Sequence, residues 1–239
     1  MLTERFNFRP VAIARTPYPD KFGIPRQAGL SPSARGEIEL VEPYNKPEAL
    51  EGLDEFSHVW LMWIFDRNIP EEPGDWKPRV RPPRLGGNER RGVFATRAPV
   101  RPNPLGMSVV KLLSVDFEHC RLSVSGLDLA DGTPIVDIKP YVPYSDSVPD
   151  AEGGFAHRRP DAVLDVRFNA DAATTLRQID ADGVLRRLIE ENLSLDPRPS
   201  YHDDPNRQYH MRLLDVDLSF RVTPEGDESI AEVTSISRY

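Results

Sequence analysis

The strongest strand signal in the chain is the run His58-Val59-Trp60-Leu61-Met62-Trp63-Ile64-Phe65. From Val59 to Phe65 every residue is apolar, which predicts a strand covered on both faces rather than one that alternates between core and solvent. Across the whole chain, 24 prolines and 15 glycines divide the sequence into short apolar runs. This pattern is typical of many strands joined by turns.

Seven strands are predicted before residue 145: Phe8–Arg15, Gly36–Val41, His58–Phe65, Gly92–Thr96, Met107–Val115, His119–Leu127 and Ile135–Val142. A short helix is predicted over Pro47–Gly52, because proline is favoured at the first helical position. The segment Ser145–Pro160 is rich in Asp, Ser, Gly and Pro and is interpreted as a linker.

A different pattern follows the linker. Apolar residues at helical spacing predict a helix over Asp171–Leu193, bent or broken at Gly183, where Asp182 can cap the second part. Leu214, Val216, Leu218 and Phe220 are predicted to share one strand face. The predicted strands of this half are Val163–Phe168, Leu213–Val222 and Ile230–Ile236.

These elements predict a mainly β protein, α+β overall. The expected organisation is an N-terminal β-barrel domain over residues 1–145, a linker over 146–160 and a small α+β domain over 161–239. The chain of 239 residues is long enough to bury a core without a metal or a disulfide, and Cys120, its one cysteine, is expected to be a buried structural side chain.

Hydrophobicity and charge limit the compartment and the classes of partner that the sequence predicts. No apolar run is long enough to span a bilayer, and the first residues lack a secretory pattern, so the cytoplasm is the expected compartment. The net charge is −8, yet Lys77–Arg101 holds eight cations and one acid, a net +7 that leaves −15 for the remainder. Such a basic segment either docks nucleic-acid phosphates or is a solvated loop whose arginines pair with acids elsewhere. Charge alone leaves both open.

Several common chemistries have no sequence support. The chain lacks a P-loop, a G-x-G-x-x-G dinucleotide fingerprint and a G-x-S-x-G nucleophile elbow. Its five histidines show no metal-ligand spacing, so no metal is expected. His58 borders an apolar run and is interpreted as a core-edge histidine.

Four segments combine Pro and Gly, which fix backbone geometry, with side chains that recognise ligands. For any one of them the alternative is ordinary turn chemistry with ion pairs. The segments are Phe22–Leu30, Arg81–Asn88, Gly92–Ser108 and Leu127–Tyr141.

At these segments the chain resembles the TsaA/TrmO-type family, the tRNA (adenine-N6)-methyltransferases of the anticodon loop. The similarity covers nearly the whole chain. The pieces that carry it are Pro25-Arg26-Gln27, Arg81–Asn88, Gly92–Arg97, Arg101–Ser108, Asp131–Tyr141 and Asp196-Pro197-Arg198-Pro199-Ser200-Tyr201.

The resemblance implies a barrel that binds S-adenosylmethionine without a Rossmann fold, in a homodimer whose site lies near the subunit boundary. The substrate would be N6-threonylcarbamoyladenosine, directly 3′ of the anticodon in threonine tRNA, and the product its N6-methyl derivative. The missing dinucleotide fingerprint and the basic segment are compatible with this.

Roles follow from the resemblance. Arg26 would face the cofactor carboxylate. Asp66 and Arg67 would lie at the same pocket, although the family often has histidine where this chain has Asp66. Carboxylates near residue 130 would hold the adenosine or ribose. The cofactor-binding set is Pro25, Arg26, Gln27, Asp66, Arg67, Arg97, Asp128, Leu129 and Asp131, and the candidate tRNA contacts are Arg84, Asn88, Arg101 and Asn103.

The catalytic candidates are Asp137, Lys139 and Tyr141. The urea-like N6 is a weak nucleophile until its proton leaves, so Asp137 would assist that loss while Lys139 stabilises negative charge and Tyr141 contacts the base. On a strand all three share one face. Without the resemblance, Asp137 and Lys139 are interpreted as a surface ion pair on a strand.

Two other functions remain open at this point. The first alternative is a non-catalytic barrel that binds S-adenosylmethionine or RNA. The second is an enzyme of another class, such as a hydrolase that uses Asp137 as its base.

Overall fold

The computed structural model describes residues 6–69, 76–85, 88–199, 204–226 and 228–239. In chain order its strands are β1 (Ala12–Arg15), β2 (Arg35–Leu40), β3 (His58–Ile64), β4 (Arg79–Val80), β5 (Arg91–Gly92), β6 (Leu105–Asp116), β7 (Arg121–Ser125), β8 (Pro134–Pro140), β9 (Asp165–Phe168), β10 (Tyr209–Leu213), β11 (Val216–Glu225) and β12 (Glu228–Arg238). The α-helices are α1 (Pro143–Asp146), α2 (Ala170–Ile179) and α3 (Val184–Ser194).

Six strands close into an antiparallel barrel in the order β1-β2-β7-β6-β3-β8, with β8 returning to β1. Closure pairs every strand on both sides, so the barrel has no free edge. The inward side chains fill the interior, and Ile38, Leu61, Leu122 and Ile135 are fully buried. The predicted mainly β, α+β fold with an N-terminal barrel is confirmed.

The apolar run on β3 is not covered equally on its two faces. Val59, Leu61 and Trp63 point into the barrel and are buried, whereas the alternate residues of the strand are half-buried on the outside. The prediction of a strand buried on both faces is therefore wrong for the single chain. The outer face stays apolar across the β3–β6 pair, where Met62 lies opposite the exposed Met107.

Two other local predictions need correction. Gly92–Thr96 is not a strand of the barrel: Arg91–Gly92 forms a two-residue ribbon with Arg79–Val80, and Val93–Ala95 turns as a 3-10 helix. The segment Pro47–Gly52 begins as a helix at Pro47 as predicted, but it is a single 3-10 turn that ends at Leu50. Cys120 is buried, as expected.

The C-terminal domain is a four-stranded sheet in the order β10-β11-β12-β9, in which β9 runs parallel to β12. Val216, Leu218 and Phe220 share the buried face as predicted. Leu214 does not, because it occupies the turn between β10 and β11 with a φ of 54° and is exposed. The predicted strand Leu213–Val222 therefore spans the end of one strand and the start of the next.

The predicted helix break at Gly183 is confirmed, since this residue has a φ of 70° between α2 and α3. Asp182 accepts a bond from the Val184 amide at 3.1 Å, but Asp180 caps the next two amides of α3 at 2.9 and 2.8 Å. One apolar core continues from the barrel into this domain. The two parts also touch where Leu214 N–H donates to the Pro17 carbonyl, 2.9 Å away.

Candidate functional site

The β1–β2 loop (residues 16–34) carries the Pro25-Arg26-Gln27 motif. Pro25 is buried, Arg26 is exposed and Gln27 is half-buried. The Arg97 guanidinium donates to Gln27 Oε1 at 2.6 Å, which joins two segments that are 70 residues apart in the sequence. Arg26, one residue away, is exposed and is accessible to an anionic ligand.

The loop lies directly against the segment that follows β7. The Gly29 amide donates to the Gly126 carbonyl at 2.8 Å. Gly126 has a φ of 80°, and a Cβ there would be 3.2 Å from the Gly29 Cα. Glycine at this position therefore permits both the left-handed turn and the close approach of the two backbones.

Asp128 is the charged group at the centre of this contact. Its carboxylate accepts a bond from Ser108 Oγ at 2.6 Å, and Ser108 in turn accepts one from the Trp63 indole N–H at 3.1 Å. Burial raises the pKa of Asp128 to about 6, although bonds from Ser108 and from the Ala28 amide and the charge of Arg97 oppose the shift. We call Gln27, Arg97, Ser108 and Asp128 the enclosed network; Ser108 is buried, Gln27 and Asp128 are half-buried, and Arg97 closes the network from the exposed side.

A second network lies at the other end of the Asp128–Asp131 segment. Arg67 donates to the Asp131 carbonyl at 2.8 Å and to the Pro19 carbonyl at 3.2 Å. The Asp131 carboxylate accepts from the Thr16 amide at 2.9 Å. Arg67 and Asp131 thus fix loop geometry through their own contacts, while the neighbouring Asp66 side chain is exposed.

The Asp128–Asp131 segment runs from the enclosed network to the second network, but the two networks have no side chain in common. Asp131 borders a hollow of about 510 Å³ whose other walls are Thr16, Pro19, Leu214, Asp215 and Tyr239. Neither Arg26 nor Arg97 lines it. The Leu129 side chain is buried, so only its backbone is available, and its carbonyl already accepts from Thr16 Oγ at 2.8 Å.

The three catalytic candidates lie on the outer face of the barrel. Asp137 and Lys139 form an ion pair at 2.8 Å, with side chains 49% and 59% exposed. They lie opposite Met62 and Trp60 of β3, and the Tyr141 ring is 6.1 Å from the Trp60 ring. The predicted shared face is confirmed by these contacts. We call Asp137, Lys139 and Tyr141 the outer trio.

Asp137 also borders a hollow of about 580 Å³. Its walls come from the short helical turns after β2 and include Tyr44, Leu53 and Phe56. Its lining includes no member of the enclosed network, so a single chain holds the cofactor candidates and the outer trio in different places.

The basic segment presents most of its cations to solvent. Within the described residues its one ion pair joins Arg91 to Glu89 at 2.8 Å, so the interpretation that its arginines pair with acids elsewhere gains no support. Arg101 donates to the Thr96 carbonyl at 3.1 Å and is half-buried, while Asn88 and Asn103 are exposed. The Arg84 side chain, like Ser200 and Tyr201 of the C-terminal motif, lies outside the described residues.

Sequence reasoning missed an aromatic pair in this region. The ring of Phe94 stacks on Trp76 with centroids 6.2 Å apart, and Phe94 is 75% exposed. An exposed aromatic ring among arginines is typical of surfaces that bind single-stranded nucleic acid. The position of Phe94 close to Arg97 in the sequence was the signal that could have identified this aromatic pair.

Two negative findings concern the described residues alone. No three His, Cys, Asp or Glu side chains are grouped so as to hold a metal ion. No helix there is long and apolar enough to cross a membrane.

Comparison with known proteins identifies the family. The N-terminal domain of tRNA-methyltransferase O matches residues 13–147, and the TrmO C-terminal domain matches residues 161–239. The chain belongs to the tRNA-methyltransferase O family. The resemblance drawn from the sequence motifs is thereby confirmed, and the methyltransferase class is favoured over the hydrolase and over the non-catalytic module.

Individual relatives agree with this assignment over nearly their full length. A tRNA (adenine(37)-N6)-methyltransferase of Escherichia coli is 44% identical over 95% of this chain and 97% of the relative. A protein of Pseudomonas aeruginosa whose name contains "S-adenosylmethionine-dependent methyltransferase" is 47% identical over 87% of this chain and 89% of its own. A crystal structure of TrmO from P. aeruginosa superposes with a TM-score of 0.78 and 38% identity, covering 99% of this chain and 98% of that one.

Proposed function

We propose that the protein transfers the methyl group of S-adenosylmethionine to N6 of N6-threonylcarbamoyladenosine, adjacent to the anticodon of threonine tRNA. The observation that carries the proposal is the enclosed network, in which the bond from Arg97 to Gln27 joins the Pro25–Gln27 motif to the basic segment beside Asp128. Such a site suits a ligand with both charges, because cations and a carboxylate are presented together.

The residues of this region fit the cofactor chemically. The exposed Arg26 guanidinium is suited to a carboxylate, and carboxylates at Asp128 and Asp131 are suited to hydroxyl, amino and sulfonium groups. Pro25, Gln27 and Arg97 complete the proposed contacts beside Asp128. Asp66, Arg67 and the Leu129 backbone are the proposed contacts at the other end of the Asp128–Asp131 segment, in the second network. Bound there, the cofactor supplies an electrophilic methyl group.

The outer trio is suited to activate the nucleophile. Asp137 accepts the N6 proton, and Lys139, already 2.8 Å from it, stabilises negative charge on the carbamoyl oxygen or the threonyl carboxylate. Tyr141 packs beside Trp60 and provides an aromatic surface for the adenine.

We assign tRNA binding to the basic segment. Arg84, Asn88, Arg101 and Asn103 contact the tRNA, and the exposed Phe94 ring stacks on an unpaired base of the anticodon loop. With tRNA as substrate, the cytoplasm is the proposed compartment.

We further propose a homodimer formed through the outer face of β3 and β6. This face exposes Met107 and Leu105 to 43% and 41% beside half-buried side chains of β3, an apolar surface that a second copy would cover. Dimerisation there would also bring a second subunit close to the outer trio. Met107→Arg should give monomers in sedimentation, whereas Val163→Arg, an exposed valine outside this face, should not.

The test of function is methyl transfer from labelled S-adenosylmethionine to threonine tRNA with and without the threonylcarbamoyl group. Label should enter only the modified tRNA, as an N6-methyl nucleoside. Binding of both ligands without transfer would support the non-catalytic module, and turnover without cofactor would support a hydrolase.

A further inference from the structure

Helix α3 of the C-terminal domain reaches the β1–β2 loop through one carboxylate. Glu191 Oε2 accepts bonds from Ser31 Oγ and from the Ser33 amide, both at 2.8 Å, and Glu191 Oε1 accepts one from Ser33 Oγ at 2.9 Å. All three donors belong to the loop, four to six residues after Gln27. Glu191 thus bonds simultaneously to two side chains and the backbone of this loop.

Its neighbour Asn192 fixes the same region from inside the core. Its amide donates to Ser31 Oγ at 3.5 Å and its carbonyl oxygen accepts from the Tyr18 hydroxyl at 3.3 Å. All three residues are buried. From the linker, Arg159 donates to the Gly29 carbonyl at 3.2 Å.

The other end of the loop also rests on the C-terminal domain. The Phe22 ring stacks on Phe220 with centroids 6.4 Å apart. Gly23 packs so closely against Met211 that a Cβ at Gly23 would overlap the methionine sulfur. The Pro25–Ala28 stretch therefore lies between two attachments to the C-terminal domain. The barrel holds Gln27 through Arg97, Ala28 through Asp128 and Gly29 through the Gly126 carbonyl.

We infer that Glu191 is a positioning residue for the cofactor, through which the C-terminal domain holds the Pro25–Gln27 motif in its binding conformation. The inference rests on the proposed function, because it takes this motif to be a cofactor contact. A loop held in place before binding loses less conformational entropy when the ligand arrives, so the attachment increases affinity without touching the ligand.

A purely structural role for Glu191 makes a different prediction. Three hydrogen bonds between domains would then stabilise the fold, and their loss would lower the melting temperature while leaving the cofactor affinity of the folded protein unchanged. Cofactor affinity and turnover at saturating cofactor separate the two roles.

The experiment measures the dissociation constant of S-adenosylhomocysteine by calorimetry on the full chain, with no tRNA present. Glu191→Ala should raise this dissociation constant about tenfold, because the hydrogen bonds lost to the loop correspond to about a tenfold change in affinity. Turnover at saturating S-adenosylmethionine should stay within about twofold, because no group at the reacting atoms has changed.

Two variants serve as controls. In Glu191→Gln, the side-chain oxygen can accept the two bonds now made to Oε2, and the NH2 group can donate to Ser33 Oγ. The cofactor affinity should therefore stay close to that of the wild type. Glu190→Ala makes the same charge change one residue earlier on α3, where the carboxylate pairs with Arg186 at 3.4 Å, and should leave the affinity unchanged.

The outcomes distinguish this inference from the function it rests on. If the wild type binds no cofactor analogue, the proposed function fails. If the wild type binds and Arg26→Ala weakens it, but Glu191→Ala binds as wild type, Glu191 is merely structural and the inference is overturned. Should Glu191→Ala not fold, Ser33→Ala removes one partner from the loop side: a rise of about threefold supports the inference and an unchanged constant overturns it.

Discussion

The enclosed network and the outer trio differ in how completely one chain assembles them. In the enclosed network Asp128 is surrounded by donors and its pKa is raised to about 6 by burial, while the Asp137–Lys139 pair of the outer trio is half exposed. Exposed ion pairs contribute little to stability, and buried charges are costly to rearrange. Under the proposed roles, the binding region is largely built before the ligand arrives, whereas the reactive region is half exposed in a single chain.

The largest effect is expected at the outer trio. Asp137→Asn keeps the shape of the side chain but removes the proton acceptor, so the methyl-transfer rate should fall about a thousandfold at saturating substrates. Glu37→Gln is a matched control, since Glu37 is also a strand carboxylate in an ion pair, in its case with Arg121 at 3.4 Å. A rate for Asp137→Asn within a few-fold of wild type would mean that the proton leaves by another route.

A large effect on stability is expected at Asp128. Its folded pKa of about 6 lies above its value in the unfolded chain, so the folded state gains stability from the protonated form below about pH 4 and loses it as the pH rises towards 6. Asp128→Asn removes this titration. Relative to wild type, the variant's free energy of unfolding should increase by about 3 kcal/mol between pH 4 and pH 7, measured in urea. A constant difference would show that the carboxylate is not desolvated.

A smaller effect is expected at the exposed end of the enclosed network. Arg26→Ala should raise the cofactor dissociation constant by about tenfold and leave the melting temperature unchanged, because the lost bond is to the ligand alone. Arg35→Ala, an exposed arginine at the start of β2, is the control. Loss of folding in Arg26→Ala would assign that residue a structural role.

The smallest effect is expected in the basic segment. Affinity for tRNA should fall as salt is added, and Arg101→Ala should reduce the slope of log K against log salt by about one. Arg221, which is paired with Glu232 at 2.6 Å in the C-terminal domain, provides the control substitution. A binding constant that does not change with salt would remove the basic segment from the interface.

Local sequence patterns predicted much of the fold. Alternation and turn residues located most barrel strands, and Gly183 marked the break between two helices. They failed where tertiary context decides: β3 was predicted to be buried on both faces because an unbroken apolar run does not distinguish the face that fills the barrel from the face outside it. Gly92–Thr96 has strand-like residues, yet it turns because β6, rather than this segment, pairs with β3.

The site could be predicted only as far as motifs extend. Pro25, Arg26 and Gln27 are visible in a motif, but Ser108 and Glu191 are ordinary residues whose importance comes from distant contacts, over 20 positions to Asp128 and 158 to Ser33. Nor could the sequence show that the Asp128 carboxylate is desolvated while the Asp137 side chain is half exposed, because burial depends on how the barrel closes.

The division between a binding region and a reactive region is tested most directly by titrating cofactor against methyl transfer to threonylcarbamoylated threonine tRNA, with Arg26→Ala and Lys139→Ala side by side. Raised cofactor should restore Arg26→Ala to the wild-type rate, while Lys139→Ala should stay about a hundredfold slow at every concentration, with its half-saturation point unchanged. Full recovery of Lys139→Ala at high cofactor, or no recovery of Arg26→Ala, would contradict the account.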